Sequence, residues 1–166
     1  GPTYTNHGML GDKFTVNRII QPFHKVERRK YRFRILNGGP SRLYKLFLTT
    51  DTSDAEKFYL ISNDGNLLPE AIETTSIDCW VANRLDIIVD FSKYPPGTKI
   101  YLTNRLEMRE DGAGPQGRLL DEGDRIMRFD VVGGRVEDPS RIPDFMRELP
   151  PINLSEVRKR RTFKFD

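Results

Sequence analysis

The chain has 166 residues and a mass of 19.3 kDa, enough for one domain with its own core and no need of covalent staples. Its 10 Phe, 6 Tyr and 1 Trp exclude a disordered chain, and no apolar run approaches the ~20 residues of a membrane-crossing helix. With 27 basic and 24 acidic residues the net charge is +3, so the clusters Lys25-Arg28-Arg29-Lys30 and Arg158-Lys159-Arg160-Arg161 do not indicate nucleic acid, and neither nucleic acid nor a membrane is expected as a partner.

The N-terminus, Gly1-Pro2-Thr3-Tyr4, has no basic segment followed by an apolar one and reads as a processed or cut end. Further along, a period of two dominates, which means strands. From Lys30 to Asn37, Tyr31, Phe33 and Ile35 point one way and Lys30, Arg32 and Arg34 the other, a strand with one buried and one wet face. Asn37-Gly38-Gly39-Pro40-Ser41 ends it as a turn. Arg42 to Thr50 resumes in extended form, Lys57 to Ser62 is a further strand, and Asn63-Asp64-Gly65-Asn66 is a turn signal.

Arg84 to Phe91 places Leu85, Ile87, Val89 and Phe91 on one face, with Asp86 and Asp90 on the other. Tyr94-Pro95-Pro96-Gly97-Thr98 is a turn and Lys99 to Asn104 a strand. Residues 106–123, charged and glycine-rich, read as a long surface loop. Arg125 to Val132 is a strand with Met127, Phe129 and Val131 inward. Beyond Gly133, the prolines Pro139, Pro143, Pro150 and Pro151 mark an ordered linker, with one short helical turn expected over Ile142 to Leu149. The closing residues 161–166 alternate like a strand. With no amphipathic helix of three turns, the pattern is all-β, a sandwich or barrel of eight or so short strands.

Small β-sandwiches often carry copper, so its ligands are sought first. A blue-copper site needs two imidazoles and a thiolate converging at one end of the sandwich, in the order His, Cys, His, Met. Here His7 and His24 both precede Cys79, the only cysteine, and no His follows it. Cys79 therefore reads as a small, partly buried apolar residue. One cysteine also excludes an intrachain disulfide and a Cys-based zinc cluster. No nucleophile has an imidazole beside it, and no dinucleotide, P-loop or EF-hand spacing occurs. The sequon-like Asn153-Leu154-Ser155 is at the level of chance. The residues by themselves yield a β-sandwich without catalytic, cofactor-binding or metal-ligating residues.

Several blocks nevertheless resemble a known family. Gly11 to Asn17, Pro22-Phe23, Val26 to Asn37, Arg42-Leu43-Tyr44, Asn63 to Pro69, Ala82 to Ser92 and Ile126 to Phe129 together look like the second cupredoxin domain of multicopper oxidases. Bacterial spore-coat laccases and bilirubin oxidases carry the strongest likeness. Arg161-Thr162-Phe163 resembles the opening strand of a third domain. The implied fold is a Greek-key, cupredoxin-like β-sandwich over residues 4–133, followed by a Pro-rich linker over 134–160 and a strand over 161–166.

The resemblance further implies a parent with three such domains. The first and third would supply the copper ligands, coupling one-electron oxidation of phenolic-type substrates to reduction of O2 to water. The middle domain would carry no copper, pack against its neighbours and be inactive alone. Its exposed interdomain surface could also pair two copies. An extracytoplasmic or spore-coat location would follow. The expected structural residues are Tyr31, Phe33, Ile35, Leu85, Ile87, Val89, Phe91 and Phe129 in the core, where truncation to Ala costs about 2–5 kcal/mol, with Arg42 and Asp64 as polar links at strand ends.

Two departures stand out. Arg18 follows Asn17 where relatives have glycine, and residues 106–123 match nothing in the family pattern. The competing reading is a stand-alone β-sandwich that binds a partner through 106–123 or the Pro-rich tail. An independent small copper protein is the third, against the ligand order.

Overall fold

The computed structural model describes residues 8–164. Its strands run in chain order as β1 (Thr15–Val16), β2 (Ile19–Ile20), β3 (Phe23–Arg28), β4 (Lys30–Leu36), β5 (Tyr44–Thr49), β6 (Phe58–Asn63), β7 (Asn66–Thr74), β8 (Ser76–Cys79), β9 (Arg84–Asp90), β10 (Lys99–Met108) and β11 (Pro115–Arg135). Two single-turn 3-10 segments, Phe91–Lys93 and Leu154–Glu156, are the only helical elements among the described residues.

The strands build two sheets. One has the order β3-β11-β10-β5-β8, and the other β4-β9-β6-β7. Neighbours are antiparallel except β3 and β11, which run parallel. The chain crosses repeatedly between the two sheets, most tightly between Arg28 and Lys30 and between Thr74 and Ser76, as a two-layer sandwich requires. A separate two-residue hairpin joins β1 and β2.

The core lies between the sheets. Leu85, Ile87, Val89, Phe91 and Phe129 are buried within it, and Tyr31, Phe33 and Ile35 pack against it half-buried. The Phe129 ring lies 5.0 Å from that of Phe33 and 5.4 Å from that of Phe91, so aromatic contacts bridge the two layers. On β11 both Ile126 and Met127 fall between Arg125, opposite Thr103, and Phe129, opposite Ile100. The register skips Ile126, and this bulge turns it into the core as well.

Two expectations fail. Residues 106–123 are not a loop but the far half of a β10–β11 ribbon, turned at 109–114 and joined by Leu106 opposite Leu119 and an Arg118–Glu107 ion pair. Both faces of the ribbon carry charge, so it lacks the one-sided apolar alternation that signals a buried strand. Ile142 to Leu149 contains no helical turn; its backbone lies extended along the sandwich, tied where Met146 N–H donates to the Pro69 carbonyl at 2.7 Å. The segment expected as a closing strand falls partly outside the described residues: 161–164 form no ladder among them, and 165–166 are not described.

At the Asn17-Arg18 departure, Asn17 at φ 50° and Arg18 at φ 71° both adopt the left-handed conformation of a two-residue hairpin, despite the arginine β-carbon.

Candidate metal centre and interdomain surface

Cys79 closes β8, opposite Tyr44 on β5. It is only 1% exposed, and its carbonyl accepts from Asn37 Nδ2 at 3.1 Å. Burial pushes its thiol up to about 11. Metals bind the thiolate, so a metal here would have to displace that buried proton. His24 sits on β3 and is exposed. The strands β3 and β8 are the two opposite edges of the same five-stranded sheet, four strand spacings or about 19 Å apart. His7 lies outside the described residues. A site built on Cys79 needs two imidazoles and the chain has two histidines, so the position of His24 alone breaks the set. The residues present do not fit a blue copper.

The polar residues singled out in the sequence hold chain segments together. Arg42 donates to the carbonyls of Leu10 (3.3 Å) and Gly11 (3.1 Å), with its guanidinium 5.0 Å above the Phe14 ring. It thereby fixes the N-terminal segment against β5. Asp64 accepts from Arg84 N–H at 2.9 Å and Asn83 Nδ2 at 3.3 Å, linking the β6–β7 turn to the start of β9. The Arg84 backbone donor is the main cause that lowers the Asp64 carboxyl below its ordinary range.

Asn37 escaped the sequence reading, where it is only a turn residue. It is buried, donates to the carbonyls of Arg42 and Cys79, and accepts from Gly39 N–H. An Asn followed by Gly-Gly-Pro signals a turn but carries no sign of the strand it will meet 42 positions later.

The surface is uneven. Trp80, the only tryptophan, is 56% exposed beside Val81, at the mouth of a cleft floored by Ile77 and Leu85. Phe145, Ile152, Leu154 and Phe163 also stand in solvent along the C-terminal segment. That segment is anchored where it leaves β11. The Asp138 carboxylate accepts from Lys30 N–H (2.8 Å) and Ser140 N–H (3.0 Å). Ser140, through its hydroxyl and its N–H, and Lys30 hold that carboxyl well below the usual range. Beside it opens the larger cleft, about 760 Å³, lined by Arg28, Lys30, Ser92 and residues 135–138.

Comparison with known proteins bears on these features. No family model matches the chain. It is 35% identical over 156 residues to a laccase of Bacillus subtilis (strain 168), covering 93% of this chain and 28% of that protein. Against a bilirubin oxidase of Albifimbria verrucaria the identity is 34% over 161 residues, covering 90% of this chain and 27% of the other. Its fold is similar to that of a crystal structure of the multicopper oxidase McoA, 2F4 variant, from the hyperthermophile Aquifex aeolicus. There the TM-score is 0.75 and the identity 31%, over 92% of this chain and 32% of that one. The chain spans less than a third of the length of the relatives it matches.

Proposed function

The chain belongs to the multicopper oxidase family, and we propose that it serves there as a copper-free middle domain, a scaffold between neighbouring cupredoxin domains of a longer protein. In this reading, other domains hold the copper, oxidise phenolic-type substrates one electron at a time and reduce O2 to water. This domain contributes rigidity and docking surface.

One observation carries the proposal. Cys79 and His24 stand on opposite edges of one sheet, so the fold is cupredoxin-like while its potential ligands cannot meet. The exposed Trp80, Phe145 and Ile152 are apolar surface of the kind that neighbouring domains cover.

The test is copper loading. After equilibration with Cu(II) and desalting, the chain retains no stoichiometric copper and shows no intense Cys–Cu(II) charge-transfer band. Stoichiometric copper that is lost in both Cys79→Ser and His24→Ala would overturn the reading. Migration as a dimer would assign the apolar surface to a second copy instead.

A further inference from the structure

The larger cleft holds an arrangement that the scaffold reading leaves unused. Arg28 on β3 and Arg135 on β11 are register partners in the parallel pair, so two guanidinium-bearing residues stand about 4.8 Å apart along the ladder. Like charges in such positions destabilise a sheet unless something neutralises them. Lys30 adds a third cation to the same walls.

The carboxylates nearby do not supply the neutralisation. Asp138 is engaged by the N–H groups of Lys30 and Ser140, and its only ion pair among the described residues is with Lys30 Nζ, at 3.7 Å. Glu137 lines the cleft without an ion pair to any of the three cations. The Arg135 side chain makes no hydrogen bond or ion pair among the described residues, while its backbone belongs to the β3–β11 ladder.

Arg28, by contrast, is held rigidly. Its Nε donates to the Tyr94 carbonyl at 2.8 Å and its Nη2 to that of Ser92 at 3.0 Å. Those bonds leave Nη1 and the second Nη2 proton unused. A pre-oriented fork beside a free one is the geometry that receives a planar pair of oxygens.

We propose that the Arg28–Arg135 cleft binds an oxyanion, a carboxylate or a phosphate, bridged between the two guanidinium groups, with Lys30 contributing charge. The anion removes the repulsion between register partners and takes the donors that the protein leaves unmatched. Glu137, at the rim, opposes it.

Three proteins test this: the chain itself, Arg135→Gln and Glu137→Gln. Each is titrated at neutral pH and constant ionic strength with acetate and, separately, with inorganic phosphate, against chloride. Unfolding midpoints and the phosphorus NMR line width of phosphate are the readouts. At least one anion is expected to raise the midpoint along a saturating curve. Arg135→Gln weakens that binding about tenfold, the loss of one charge-assisted contact, while its midpoint in chloride rises slightly, because the repulsion with Arg28 is gone. Glu137→Gln tightens it about threefold.

Saturation by acetate alone assigns the site to a carboxylate, such as an acidic side chain of a partner; saturation by phosphate assigns it to phosphate. Midpoints that rise without saturating, equally in the chain and in Arg135→Gln, overturn the proposal. So does a phosphate line width that neither substitution changes, when acetate is also without effect.

Discussion

At Arg18 the backbone holds φ at 71°, a region where a β-carbon crowds the neighbouring carbonyl. Arg18→Gly relieves that crowding but gives the unfolded chain more freedom, so the expected gain is about 0.5–1 kcal/mol, read from urea unfolding. Cys79 makes a different kind of prediction. Burial raises its folded pKa to about 11 from an ordinary 9.0, so between those values the unfolded chain has lost the proton and the folded one keeps it. Stability is therefore fully present below about pH 9 and falls as pH climbs to 11, by on the order of 2 kcal/mol from this group. The Tyr94 phenol, raised by burial and by its bond to Glu56, steepens the same alkaline loss. Denaturant curves from pH 8 to 10.5 should show the decline, and Cys79→Ala should flatten it without abolishing it. An unchanged slope in Cys79→Ala would mean that the thiol is solvated.

Among the elements, the strand pairs with one apolar face were legible from their alternation. Tyr31, Phe33 and Ile35 on β4 and Leu85, Ile87 and Val89 on β9 turn to the same side, where they meet in register. What was not legible has physical reasons. β7 contains Pro69, which removes a ladder donor and hides an edge strand from pattern reading. The ribbon beyond Asn104 is held by the cross-strand Glu107–Arg118 pair, by Arg105 Nε donating to the Leu120 carbonyl and by Gly123, features without a period. Gly123, at φ 72°, lies where a β-carbon would collide with the Asn104 carbonyl and come within 2.8 Å of Arg105 Cγ. Gly123→Ala is expected to cost about 2–4 kcal/mol, well above an ordinary surface change, measurable as a lowered denaturation midpoint. The order of His24 and Cys79 was legible too, because it lies in the sequence; the structure adds their separation on opposite edges of one sheet. The strap beyond β11 makes its own prediction. Its Asp138 anchor is held ionised far into the acid range, so the tie is present above the ordinary carboxylate pKa and is lost only as pH falls through the depressed one. Asp138→Asn weakens it at neutral pH. Limited proteolysis should then cut within residues 139–150 several-fold faster while the sandwich stays intact, and equal cutting rates would show that Met146 and Arg147 hold the strap unaided.

For the whole molecule, the arrangement of hydrogen bonds decides how it unfolds. Neither large sheet is ladder-paired to the other, so packing joins the layers, with side-chain ties such as Asn37 to the Cys79 carbonyl at their margins. Phe91 sits at the centre of that packing, with its ring 5.6 Å from Tyr31, 6.2 Å from Phe33 and 5.4 Å from Phe129. It follows directly after β9 in the four-stranded sheet and reaches Phe129 on β11 of the five-stranded one. Phe91→Ala should therefore cost about 3–5 kcal/mol, a large share of the 5–15 kcal/mol typical of a domain. The loss falls on both sheets together, because each has the other as its apolar cover. Far-ultraviolet and near-ultraviolet circular dichroism should give coincident urea transitions in the wild-type chain, both shifted to lower urea in Phe91→Ala. Trp80→Ala, which removes an exposed ring, should move them by less than about 0.5 kcal/mol. If Phe91→Ala split the transition in two, one sheet would be stable without the other, and the domain could not act as a rigid spacer between its neighbours.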